Sequence, residues 1–307
     1  MARCFSSKWM GALLLLTAMT ACERDFIIEV KANKQQLIVE GYINNVLPVY
    51  NYVILSRSQG YYSTDFQSIP VTGATVSVTE GVLLQNNTYV WDTLSRTFLK
   101  EVQAPGLPTG ASRGFYFDPK VENDSAHALR GKPGKYYRLD IEAEGKHYSA
   151  ITAMLPLIPI DSLTSGFHYI DENDSNRYTK ARLTVHYQEP DTIGNTQLYY
   201  WRYGGNRGNF GWGGLGSNRF MPGTDDLVNG QYIHLTHPFG FVVGDSVNYY
   251  MASVERKVYN FWDSYNKARN NVGPFATPVK LLNTIEGEDV IGCFSGFSIV
   301  ARDIKVQ

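Results

Sequence analysis

Apolar residues recur at every second position along much of this chain, a period that belongs to half-buried strands. In "KYYRLDIEAEGKHYSAIT", Tyr137, Leu139 and Ile141 fall on one side and Arg138, Asp140 and Glu142 on the other, and Glu144-Gly145 offers a tight turn before a returning strand. "QQLIVEGYIN" alternates Leu37, Val39, Gly41 and Ile43 against Ile38, Glu40 and Tyr42, and "VTGATVSVTEG" sets Ala74, Val76 and Val78 against Thr75, Ser77 and Thr79. One wet face per strand describes antiparallel sheets packed as a sandwich. The pattern resumes in "ARLTVHYQE", "QLYYWRYG", "GQYIHLTHPF" and "SVNYYMASV", and the tail "DVIGCFSGFSIVARDIKV" reads as two short strands.

The stretches "APGLPTGASRGFYFDP" and "ENDSAHALRGKPG" have no period and read as loops. In "LPLIPIDS", Pro156 and Pro159 cannot donate to a ladder, so residues 156–161 read as a stiff linker between a first sandwich at 34–155 and a second at 162–307. One segment breaks the period of two. Val258, Phe261, Trp262, Tyr265 and Ala268 are spaced for a helix over about 254–271, with Ser253 as cap, Gly273-Pro274 as stop, and Lys267 and Arg269 near the negative end of its dipole. The expected fold is therefore mainly β: two antiparallel β-sandwich domains and one amphipathic helix in the C-terminal one, its aromatic stripe packed against the sheet.

The N-terminal "MARCFSSKWMGALLLLTAMTAC" carries Arg3 and Lys8, a short apolar run and small residues before Cys22. That order is a secretory signal peptide over 1–21, with Cys22 placed to carry lipid and 22–33 left as a tether. Acyl chains on one cysteine hold a protein to a bilayer without a spanning helix, and Glu23 after the cysteine is compatible with passage to an outer membrane. Once Cys4 leaves with the signal and Cys22 is acylated, Cys293 is alone and no disulfide is available to the mature chain. The full sequence has 28 Lys+Arg against 29 Asp+Glu, and loss of Arg3 and Lys8 leaves it mildly acidic, which does not fit a nucleic-acid partner.

The residues that invite a function lie in "LYYWRYGGNRGNFGWGGLGSNRF". Gly211, Gly213 and Gly216 match G-x-G-x-x-G, but Gly214, Pro222 and Gly223 leave no helix to open at a pyrophosphate, so no dinucleotide cofactor is expected. Tyr200, Trp201, Tyr203, Phe210, Trp212 and Phe220, with Arg202, Arg207 and Arg219, offer stacking and bidentate contacts to a ligand or partner. The contact set expected is Tyr203, Arg207, Phe210, Trp212 and Phe220.

Other candidates fall short. "DENDS" at 171–175 lacks the turn glycine and terminal Glu of a calcium loop. His234 and His237 stand three apart, which on a strand sends them to opposite faces, so that pair makes no zinc site. Ser295 in "GCFSG" has no nucleophile elbow, and Cys293 reads as a small core hydrophobe. No catalytic residue, metal or cofactor is assigned, and the reading is non-enzymatic.

Taken in order, the lipobox cysteine, "LIVEGYI", "PVTGATVSVTEG", "GKYYRLDIEAEGKHYSAITAMLPLIPIDSL", "VYNFWDSY", "GPF" and "IGCFSGFSIVARDIKV" resemble the Bacteroidetes outer-membrane lipoproteins grouped as domain of unknown function 4249. The resemblance covers nearly the whole mature chain. It implies a lipidated Cys22, an immunoglobulin-like N-terminal half, a genomic neighbourhood of SusC-like TonB-dependent receptors, and no established catalytic residue. The expectation is a lipid-anchored protein of the outer membrane at the cell surface, an accessory or ligand-capture partner of a TonB-dependent transporter. The alternatives are a structural or assembly lipoprotein with protein contacts only, and a secreted hydrolase.

Overall fold

The alternating segments form strands in the computed structural model, which describes residues 34–60, 64–65, 68–101, 113–172, 175–203, 221–271, 277 and 279–307. The first half contains β1 (Leu37–Asn44), β2 (Tyr52–Arg57), β3 (Thr75–Leu83), β4 (Tyr89–Trp91), β5 (Thr97–Leu99), β6 (Phe115–Phe117), a single turn of helix α1 (Lys120–Asn123), β7 (Tyr136–Ala143) and β8 (Lys146–Ala153). The second contains β9 (Ser162–Ile170), β10 (Thr179–Gln188), β11 (Thr196–Tyr203), β12 (Met221–Thr224), β13 (Tyr232–Val242), β14 (Ser246–Ser253), helix α2 (Arg256–Asn270) and β15 (Val290–Lys305). Residues 1–33, on which the expected signal peptide, the expected lipid-bearing Cys22 and the expected tether fall, lie outside the described residues.

Three sheets result. The largest has seven strands in the order β12-β11-β14-β15-β1-β2-β6, a second has β13-β10-β9, and in the third β3 pairs with β4, β5 and β7, and β7 with β8. The hairpin β7–β8 turns at Glu144 and Gly145, whose φ of 56° and 75° are those of a two-residue primed turn. Tyr137, Leu139 and Ile141 are fully buried there, each such side chain stabilising the fold by about 1.5–3 kcal/mol.

The expectation of antiparallel pairing fails at one place. β1 runs parallel to β15, Leu37 beside Val290 through Asn44 beside Phe297. A parallel pair needs a long connection, and almost the whole chain lies between these two strands. Gly292 permits the contact: at φ 154°, a Cβ there would sit 1.9 Å from the Val39 carbonyl oxygen. The tail read as two short strands is one strand of 16 residues. Its glycines are positions of close approach, for a Cβ on Gly296 would stand 2.3 Å from the Ala153 carbonyl oxygen. Phe115–Phe117, read as loop, pairs with β2 as an edge strand.

Alternation along β15 decides what each face of the large sheet covers. Val290 and Phe294 join Leu37, Val39 and Ile43 against Val76, Val78, Leu139 and Ile141 of the third sheet. Further along the same face, Val300 and Ile304 pack beneath β10 and β13. On the opposite face Cys293, Phe297 and Ile299 meet Val258, Phe261 and Trp262 of α2. Both smaller sheets thus rest on one face of the large sheet and the helix on the other.

The large sheet draws strands from both sides of 156–161, and residues 34–307 form one compact unit. Within that segment Ile158 and Ile160 are buried, and Arg302 donates to the Ile160 carbonyl at 3.1 Å. The helix begins two residues later than its apolar spacing implies, because Glu255 and not Ser253 occupies the cap position. The Glu255 side chain makes no cap bond; it accepts from the Ala153 N–H at 2.9 Å and the Thr152 hydroxyl at 3.3 Å, tying the helix to β8. Gly273 and Pro274 lie outside the described residues. Among those described, no helix is long and apolar enough to cross a membrane.

Candidate functional site

β11 leads directly into the glycine- and aromatic-rich segment, and its alternation sorts the aromatics to two sides. Tyr199, Trp201 and Tyr203 face the β13-β10-β9 sheet, while Leu198, Tyr200 and Arg202 face outward with α2. On the outward side Tyr200 stacks on Tyr250 of β14, centroids 4.8 Å apart and planes 4° from parallel. The Arg202 guanidinium lies 5.3 Å from the Tyr50 ring centroid and 5.9 Å from that of Tyr250, and it donates to the Tyr50 hydroxyl at 3.2 Å. A cation over an aromatic face contributes about 0.5–1 kcal/mol when exposed and up to about 2 when desolvated.

Tyr50 is presented by a clasp of asparagines. Asn44 and Asn51 are both buried; the Asn51 side-chain oxygen accepts from the Asn44 backbone N–H at 2.7 Å and from its amide at 2.7 Å, which closes the turn between β1 and β2. Asn45 extends the ladder sideways, accepting from the Ile299 N–H at 2.7 Å and donating to the Ile299 carbonyl at 3.0 Å. Backbone groups that a turn would otherwise leave unpaired are thus satisfied by side-chain amides.

The patch continues along β1 and β2. Tyr42 and Tyr52 meet edge to face at 5.2 Å, and Trp262 of α2 stacks on Tyr42 at 6.2 Å. The Tyr42 hydroxyl donates to a carboxylate oxygen of Glu40. Burial pushes the Glu40 carboxyl up, with the Tyr42 bond opposing. Tyr52 is 4% exposed, and its hydroxyl has no hydrogen-bond partner among the described residues. Burial raises it first, then the Glu40 charge and Tyr50, while Arg202 opposes. A carboxyl and a guanidinium therefore both act on one row of tyrosines. Of this group Tyr42 and Tyr52 are buried, and Tyr50, Tyr250 and Arg202 are half-buried; a guanidinium beside partly open rings suits stacking with a polar organic ligand or peptide.

Beneath the helix, the Trp262 indole donates to Ser295 at 3.1 Å, and the Ser295 hydroxyl lies 3.3 Å from the Cys293 sulfur. Burial pushes that thiol up to about 11, so neither side chain is activated for attack.

The expected contact residues divide. Tyr203 lies on the inner side, half-buried and 6.0 Å from Phe241, so it takes part in packing between sheets. Arg207, Phe210, Trp212 and Phe220, together with Gly211, Gly213, Gly216 and Arg219, lie outside the described residues, as does Cys22. Asp171 pairs with Lys180 at 3.0 Å. His234 and His237 do point to opposite faces: His237 is fully buried and His234 is on the open side of its sheet. What sequence reasoning missed is the row Glu40, Tyr42, Tyr50, Tyr52 and Tyr250. Its one sequence signal is a carboxylate set between Ile38 and Tyr42 on a strand with both faces apolar.

A second polar cluster lies between the large sheet and the three-stranded one. The Tyr187 and Tyr199 hydroxyls share a bond of 2.7 Å, and Tyr249 and His237 one of 2.8 Å. The His237 Nδ1 lies 3.1 Å from the Met221 sulfur. Desolvation depresses His237 to about 4, so it is neutral at physiological pH. The buried Glu189 carboxylate accepts from the Gln197 amide at 3.2 and 3.3 Å, and burial raises its pKa. The Trp201 indole N–H is the one ring nitrogen of this cluster without a partner among the described residues.

Fold and cluster together define a mainly β protein built around one mixed sheet, with a half-buried Arg202–Tyr50–Tyr250 group on its helix side. The chain belongs to the family described as Domain of unknown function (DUF4249), which it matches over residues 23–303. No curated protein matches the chain.

Proposed function

We propose that this chain is a lipid-anchored outer-membrane protein, acylated at Cys22, that serves a TonB-dependent receptor as an accessory or ligand-capture partner and does not itself catalyse a reaction. The observation that carries the reading is the Arg202–Tyr50–Tyr250 cluster at the root of the glycine-rich segment, where the guanidinium and the two rings it lies against are only half-buried. The lipobox order at 1–22 supports the anchor, and the receptor neighbourhood is what the resemblance of the motifs implies. In this reading the packing of β1 and β2 on β3 and β7, completed by β15, corresponds to the immunoglobulin-like part of the family, and the packing of β11 and β14 on β10 and β13 to a further sandwich that shares the same large sheet. The anchor keeps the patch at a high effective concentration near its partner, so a weak contact suffices.

The expected outcome for Arg202→Ala combined with Tyr50→Ala is about a tenfold loss of receptor or ligand retained on the chain pulled from solubilised outer membrane. The unfolding midpoint should stay near that of the native chain. Retention unchanged in that variant removes the patch from the function. Mass spectrometry of the mature chain tests the anchor separately, and an unmodified residue 22 sinks it.

A further inference from the structure

The open face of the β13-β10-β9 sheet carries a feature unrelated to the patch. Along β10, Ala181, Leu183, Val185 and Tyr187 are buried, and Lys180, Arg182, Thr184, His186 and Gln188 alternate with them toward the other side. His186 stands directly opposite His234 of β13. Their Nδ1 atoms are 2.7 Å apart and their rings cross at 4.9 Å between centroids. On the far side of the His186 ring, Nε2 lies 2.8 Å from the Thr164 hydroxyl on β9. Tyr232 packs edge-on against His234 at 5.0 Å.

We propose that His186 and His234 form a cross-strand chelate for a borderline divalent transition-metal ion, with Thr164 as the positioning residue. Neutral imidazole is the preferred ligand of copper, zinc and nickel. In the tautomer with its proton on Nε2, His186 donates to Thr164 and turns the Nδ1 lone pair toward His234, the outer-shell bond that metal-binding histidines use. Tetrahedral bonds of about 2.0–2.1 Å set two nitrogens about 3.3 Å apart, so the rings need separate by only about 0.6 Å. Paired strands hold both backbones, so small side-chain rotations suffice. Among the described residues no third His, Cys, Asp or Glu completes a cluster, which leaves the remaining positions to water and makes the site open and exchangeable.

The test uses the chain purified through a tag free of histidine and titrated with CuCl2 or ZnCl2. Copper should bind more tightly than zinc, with a paramagnetic resonance spectrum showing two imidazole nitrogens. His186→Ala and His234→Ala should each abolish that two-nitrogen signal while circular dichroism stays native. Thr164→Val should weaken binding about tenfold, and His147→Ala, at an exposed histidine on another sheet, should change nothing. A native chain that binds neither ion, or undiminished binding in either histidine variant, overturns the proposal.

Discussion

The two faces of the seven-stranded sheet each bury tyrosines, and they treat the hydroxyls differently. On the inner face, Tyr187 is bonded to Tyr199 and Tyr249 to His237, all between two layers of sheet. On the outer face, Tyr42 bonds to a carboxyl raised by burial and the Tyr52 hydroxyl has no partner among the described residues. A buried polar group that is paired specifies packing, whereas an orphaned one is a cost that packing alone does not explain. The inner cluster, with its hydroxyls paired and only the Trp201 indole N–H left without a partner among the described residues, sits between two sheets, whereas the outer one lies beside the half-buried Arg202 and Tyr50 and is the better place to look for a ligand.

Removing the sheet that both clusters share breaks the comparison most completely. Gly292→Ala puts a Cβ against the Val39 carbonyl, and a loss exceeding about 4 kcal/mol in urea unfolding, or no folded chain, is expected. Next comes acid. His237 is depressed from 6.5 to about 4, so the unfolded chain binds the extra proton between those values. Its contribution is intact above pH 6.5 and is lost as pH falls toward 4, on the order of 3 kcal/mol in all. His237→Gln should flatten that part of the stability profile, and an unaltered slope would assign the acid sensitivity elsewhere.

A matched pair sharpens the contrast directly. Tyr199→Phe strands the buried Tyr187 hydroxyl and should cost about 1–3 kcal/mol, whereas Tyr52→Phe removes a hydroxyl with no partner among the described residues and should be neutral or stabilising. Equal costs would erase the distinction between the faces. The smallest effect is expected from Glu40→Gln, which retains an acceptor for Tyr42. The native carboxyl titrates above its unfolded value of 4.5, so its destabilisation is absent below that pH and grows as pH rises through the folded value. Replacement should therefore raise the melting midpoint at neutral pH by about 2 °C, and not at pH 4.

Local pattern made some of this legible and hid the rest. The β7–β8 hairpin, its turn and its inward residues follow from alternation and from Glu144-Gly145. The stripe of α2 follows from its spacing, and Val258, Phe261 and Trp262 are buried as that stripe requires. The parallel union of β1 with β15 was invisible, because alternation tells a strand which face is wet and nothing about its neighbour. For the same reason the pattern puts Tyr203 in one group with Tyr200 and Arg202, which the strand sends the other way, and offers nothing to join Tyr50 to Tyr250, 200 positions further on. Glycines misled in the tail, where Gly292 and Gly296 look like breaks and are contacts.

The first strand of this protein waits for the last. Asn45 and Ile299 are 254 positions apart and bonded in both directions, so β1 has a vacant edge until the end of the polypeptide has been synthesised. An exposed strand edge invites pairing with other chains, and distant pairings form slowly. A nascent or prematurely terminated copy that stops before residue 290 therefore emerges with its central ladder half built, and shielding that edge during biogenesis becomes a requirement set by topology.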